Sequence, residues 1–114
     1  MSFSLTTEQC RNKSKTVTRR IGWSNLKRGD RVQQVEKGQG LKKGERVKKI
    51  HVIECVSNRR EAIGQMLDPE YGRKECALEG FAGTSGLWFV SMFCNHNKCS
   101  TWKIVNRIEF RYVT

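Results

Sequence analysis

The sequence predicts an α+β fold: a small mixed β-barrel of five to six strands flanked by two to three short helices. Strand-like runs recur near both ends and in the middle, with no βαβ rhythm between them. Residues 46–56 carry apolar side chains on both parities, Ile50, Val52 and Val56 on one and Val47, Ile53 and Cys55 on the other. A strand of that kind is covered on both faces, as in a barrel. Asp68-Pro69-Glu70 is a helix start, with a capping side chain and then proline at the first helical position. At 114 residues the chain is expected to form one domain over 1–114.

The elements follow in order. Ser2 to Leu5 is short and strand-like, and Thr6 or Thr7 caps a short helix to about Asn12. Thr16 to Ile21 is a strand by its β-branched residues. Trp23 to Asp30 turns, closing on Arg28-Gly29-Asp30. Arg31 to Glu36 resumes strand, and Lys37 to Glu45 is an exposed loop through Gly38, Gly40 and Gly44. After the 46–56 strand, Asn58 to Met66 reads as a short helix. The Pro69 helix runs to Glu79 and stops at Gly80. Thr84 caps a third helix, with Leu87, Trp88, Val90, Met92 and Phe93 toward the core. The last segment alternates Ile104, Ile108, Phe110 and Tyr112 against Arg107, Glu109 and Arg111, the pattern of a half-exposed strand.

Charge narrows the function classes. The net charge is +11, and it is uneven: residues 1–60 hold 16 of the 22 Lys+Arg and 5 of the 11 acids, while residues 61–114 balance. Val, Ile, Leu and Trp interleave with these cations, so a folded basic face is expected and not a solvated tail. Phosphate-rich partners are therefore expected, RNA or nucleosides and nucleotides ahead of an anionic membrane. No stretch approaches the roughly 20 apolar residues of a membrane span. No signal-peptide pattern is visible, and five cysteines without a regular rhythm suit reduced thiols, so a cytoplasmic protein is expected.

The densest chemistry is Lys15-Thr16-Val17-Thr18-Arg19-Arg20, followed by Trp23. Arginine forks onto phosphate, and an indole stacks a base for about 1–3 kcal/mol. Lys13, Lys42 and Lys43 extend the basic surface. The competing reading is an ordinary basic strand with Trp23 closing one end of a barrel.

The Lys-Thr-x-Thr-Arg-Arg string, the Leu26-Lys27-Arg28-Gly29-Asp30 turn, Glu79-Gly80-Phe81, Trp88-Phe89-Val90 and the terminal Ile108-Glu109-Phe110 together resemble the ASCH domain of the PUA-like superfamily, in its short bacterial and phage form. The resemblance covers nearly the whole chain. It implies a PUA-like barrel whose cleft binds RNA or nucleosides; Arg19, Arg20 and Trp23, singled out above by their own chemistry, are the candidate contacts. It also implies two alternatives. One is an amidohydrolase that deacetylates N4-acetylcytidine-like nucleosides through Lys15, Thr18 and Glu79. The other is a ribonuclease. In the first, Lys15 takes the proton of the Thr18 hydroxyl, Glu79 holds the lysine or shuttles a proton, and Arg20 contacts the substrate. The string departs from the deacetylase pattern at Arg19, where an apolar residue is usual.

Geometry sets a condition on that set. In a regular strand Lys15 and Thr18 point to opposite faces, so they converge only if Lys15 lies in a turn before the strand, formed by Asn12, Lys13 and Ser14. Glu79 sits at a helix C-terminus, where the macrodipole disfavours an anion by about 0.3–1 kcal/mol, so it either meets a cation or serves a site. Glu75 is its rival on the same helix, and Glu61 reads as a solvated helix charge. Cys94, His96 and Cys99, with Cys76 as a fourth ligand, form a weak zinc pattern; buried thiols at a helix end are the plainer reading. His51 lies among apolar residues as a structural histidine. No metal, cofactor or nucleotide-loop motif is expected.

Overall fold

The computed structural model describes residues 1–37 and 42–114. Gly38-Gln39-Gly40, read from the sequence as a loop, lies outside the described residues. The helices are α1 (Thr7–Arg11), α2 (Pro69–Leu78) and α3 (Gly86–Asn97), and the strands are β1 (Val17–Arg20), β2 (Arg31–Val35), β3 (Lys49–Ala62) and β4 (Ile104–Tyr112). A short 3-10 turn at Ile63–Leu67 links β3 to α2. The strands form one antiparallel sheet in the order β1-β4-β3-β2, curled into a half-barrel. This is an α+β fold with three helices and, among the described residues, four strands where five to six were expected. Ser2 contributes a single bridge to Val35 in place of a further strand.

Local signals explain most boundaries. Asp68 accepts the Tyr71 N–H at 2.9 Å, so α2 begins where capping and proline chemistry predict. It ends at Glu79, and Gly80 follows at φ +96°. The cap of α3 is Ser85, which accepts the Trp88 N–H; Thr84 instead donates its hydroxyl to the Phe81 carbonyl. Two apolar clusters flank the sheet. Ile63, Met66, Cys76, Phe89, Val90, Phe93 and Val105 lie under α2 and α3. Phe3, Cys10, Ile53 and Phe110 pack beside α1. Leu87 and Trp88, expected in the core, are 66% and 44% exposed, because α3 turns Phe89, Val90 and Phe93 inward instead.

Two segments differ from the sequence reading in ways that matter for function. Residues 58–62 continue β3 and are not helical; a bulge between Cys55 and Ser57 lets the strand stay paired with β4 as far as Ala62 opposite Ile104. Glu61 is therefore buried and not a solvated helix charge. In β4 the expected outward residue Arg107 is buried, while Ile104 is 47% exposed. No helix among the described residues is long and apolar enough to cross a membrane.

Candidate functional site

Lys15 precedes β1, in the bend that follows α1, where Lys13 takes a left-handed φ of 64°. Its backbone is held on three sides: its N–H donates to Gln9 O at 3.2 Å, the next N–H (Thr16) donates to Leu78 O at 2.9 Å, and the Tyr112 hydroxyl donates to Lys15 O at 2.6 Å. Off the strand, Lys15 escapes the two-residue alternation, and it lines the same cleft as Thr18. Gly80 makes room for it: a Cβ there would sit 2.9 Å from Gln9 and 3.3 Å from Lys15, at a φ that side chains rarely adopt.

The sheet register then creates an electrostatic problem. Arg19 lies opposite Arg107, and Arg107 opposite Arg59, so three arginines form a row across β1, β4 and β3. Like charges directly opposite one another destabilise a sheet. Helix α2 and its C-cap supply the answer with Tyr71, Glu75 and Glu79, spaced four residues apart. Glu75 binds Arg107 through both oxygens, at 2.7 and 3.1 Å. Arg19 places each guanidinium nitrogen on a different carboxylate: Nε on Glu61 at 2.7 Å, Nη1 on Glu79 at 3.0 Å and Nη2 on Glu75 at 2.5 Å. Tyr71 donates to Glu61 at 2.5 Å, and Arg59 bonds both of them at 2.9 Å. The second oxygen of Glu79 accepts from Lys15 Nζ at 2.6 Å, and the same ammonium reaches the Glu79 carbonyl at 2.8 Å.

These partners set the titration behaviour. Burial pulls the Lys15 ammonium below its ordinary value, and Glu79 opposes this. Burial also lowers Arg20, again against Glu79. Burial raises Glu61 and Glu75, but hydrogen bonds from Tyr71 and Arg19 to the first, and from Arg107 and Arg19 to the second, hold both carboxyls below the usual range. For Arg19 burial works against the cation, and Glu79 and Glu61 overcome it, so its pKa is raised.

The cleft, about 760 Å³, is lined by polar and apolar side chains. Lys15, Thr18, Arg20 and Glu79 are among the first; Phe81, Phe89, Met92 and Phe93 are among the second. Thr18 accepts from Arg20 Nε at 3.1 Å, which leaves its O–H to donate elsewhere. Arg20 lies 4.6 Å over the Phe3 ring. Trp23 stands at the cleft edge, 44% exposed, with φ 64° and its carbonyl bonded by Asn58.

Thus Lys15, Thr18, Arg20, Glu79 and Trp23 line one cleft; Lys15 bonds Glu79 and Thr18 bonds Arg20, with no hydrogen bond between Lys15 and Thr18 among the described residues. Arg19 reaches the cleft too, but its guanidinium is taken up by the three glutamates. Lys13 is exposed and lies 5.9 Å from the Tyr112 ring, and Lys42 and Lys43 are exposed and do not line the cleft. Sequence reasoning missed Glu61 and Arg107 as network members. The four-residue spacing of Tyr71, Glu75 and Glu79 was the available signal for the α2 stripe. Cys76 donates to the Ser85 carbonyl while Cys94 lies beside Cys99, and among the described residues no three His, Cys, Asp or Glu side chains gather as a metal site. Compared with family models, curated proteins and solved structures, the chain finds no match.

Proposed function

We propose that the chain is an ASCH-type, PUA-like domain whose cleft binds a nucleoside, free or within RNA. One observation carries the reading: Lys15, Thr18, Arg20 and Glu79 line the same cleft as Trp23 and Phe81. Hydrogen-bonding groups for a base edge or phosphate thus stand beside ring surface for a base face. The volume of about 760 Å³ falls within the roughly 300–1,000 Å³ of small-molecule sites. The test is an NMR titration with cytidine, cytidine monophosphate and a short single-stranded RNA, following the Trp23 indole. Saturable shifts that Arg20→Ala weakens support the reading. An indole resonance that none of the three moves refutes it.

A second reading is favoured by the Lys15–Glu79 pair, 2.6 Å apart and almost wholly buried. In this reading the cleft hydrolyses an N4-acylated cytidine. Neutral Lys15 takes the proton of Thr18 as its oxygen attacks the acyl carbon, then gives that proton to the departing N4. Water cleaves the acyl-threonine, releasing the acid and restoring the hydroxyl. Burial favours the neutral amine against the pull of Glu79, which favours the ammonium and holds its nitrogen at 2.6 Å. Incubation with N4-acetylcytidine should release cytidine and acetate, and Thr18→Ala should abolish the release. Unchanged turnover by that variant removes the threonine mechanism.

A further inference from the structure

Outside the cleft, a run of exposed cations leads into β3. Lys42, Lys43, Arg46, Lys48 and Lys49 are all exposed, and Glu45 is the acid among residues 42–49. Glu45 pairs with Lys37 at 3.8 Å, a half-exposed contact that neutralises little. Among the described residues, the other five cations have no acidic partner within salt-bridge distance. The run joins the cleft through the backbone. Lys49 is the register partner of Val35, and the Glu36 N–H donates to Lys48 O at 2.9 Å. Val35 and Lys37 both line the cleft.

We infer that residues 42–49 form a track for the phosphate backbone of a single-stranded RNA whose base occupies the cleft, so that the partner is a polymer and not a free nucleoside. This deepens the nucleoside reading of the cleft and rests on it. Lysine ammonium groups suit phosphates as point charges, and their long stems follow an irregular backbone. Lys37, between cleft and track, bridges the base-binding and phosphate-binding parts. A membrane surface fits less well: a binding face for lipid needs several apolar side chains to insert, and Val47 is the apolar residue here.

The experiment compares the wild-type chain with Lys42→Gln/Lys43→Gln/Lys48→Gln/Lys49→Gln. All four side chains are exposed, so circular dichroism and melting should be unchanged. Binding of short single-stranded RNA is measured across a salt series, and cytidine binding is measured beside it. Each phosphate contact on a single strand contributes a slope of about 0.7 in log affinity against log salt, so losing four should flatten the slope by about 2–3 and weaken binding about 100-fold or more at ~0.1 M salt. Cytidine should bind both proteins alike. If cytidine binds and the variant holds RNA as tightly as wild type with the same slope, the track inference fails and the cleft reading survives. If RNA binding depends on the four lysines but neither cytidine nor RNA moves the Trp23 indole, no base occupies the cleft, and the cleft reading and the inference fall together. Wild-type binding to phosphatidylserine vesicles with none to RNA overturns the inference outright.

Discussion

Replacing Arg19 with methionine should remove the piece that ties three elements together. Its three nitrogens bond Glu61 of β3, Glu75 of α2 and Glu79 just beyond α2, and its side chain is fully buried. Each glutamate keeps another cation: Arg59 for Glu61, Arg107 for Glu75 and Lys15 for Glu79. The variant network is therefore balanced, three charges on three, and no carboxylate is left isolated. What is lost is a set of charge-assisted hydrogen bonds, partly offset by no longer burying a guanidinium. The expected cost lies at the lower end of the roughly 3–5 kcal/mol typical of breaking a buried ion pair. Urea unfolding at neutral pH measures it, with Arg19→Lys as a companion that keeps the charge, loses the fork and should fall in between. The pH dependence gives the sharper check. Glu61 and Glu75 titrate below the ordinary 4.5 in the folded chain. Their contribution is present above the unfolded value and is lost as pH falls through the folded values. Without Arg19 these depressions shrink, so the two stability curves should converge as pH drops below about 4.5. A loss under about 1 kcal/mol at neutral pH, or one constant down to acid, would refute the keystone role.

Three further outcomes follow from the geometry. Gly86→Ala would put a Cβ 1.7 Å from the Met66 carbonyl oxygen, where α3 crosses the 3-10 turn and Gly72; the backbone must shift, and thermal melting should reveal a loss of about 3 kcal/mol or more. Asp68→Ala removes the acceptor for the Tyr71 N–H and should cost about 1 kcal/mol by urea unfolding, with the cleft's ligand binding unchanged. Trp23→Ala should leave the melting temperature nearly unaltered but weaken nucleoside binding by about 1–3 kcal/mol in calorimetry, since the ring is half-exposed at the cleft edge.

Where the chain's behaviour depends on neighbours a few residues away, the sequence was readable. The Asp68-Pro69 start of α2, the Gly80 stop and the turn at Arg28-Gly29-Asp30 are local chemistry. The placement of Lys15 ahead of the strand was readable only as a condition, since a turn at Asn12 to Ser14 was plausible by composition. Asn58-Arg59-Arg60-Glu61 was misread because nothing in its polar composition favours a strand; it is extended because β4 pairs with it and because Tyr71 and Arg19 meet Glu61. Leu87 and Trp88 were misassigned because α3 is apolar around most of its circumference, so periodicity does not select the buried face.

By itself, the sequence determined an α+β domain with an asymmetric charge and a dense basic string after the first helix. It also supplied carboxylates in its later half. The pairing of those charges was decided by tertiary structure alone. Register across three strands aligned Arg19, Arg107 and Arg59, and only the seating of α2 over that row brought Glu75 and Glu79 within hydrogen-bonding distance. Burial then made these contacts obligatory, because a charge removed from water must find its partner inside the protein. Part of the excess of positive charge in the first half is thus absorbed in the interior. Other cations of that half stay in water: Lys13, Lys27, Arg28 and Arg60 as well as those on residues 42–49.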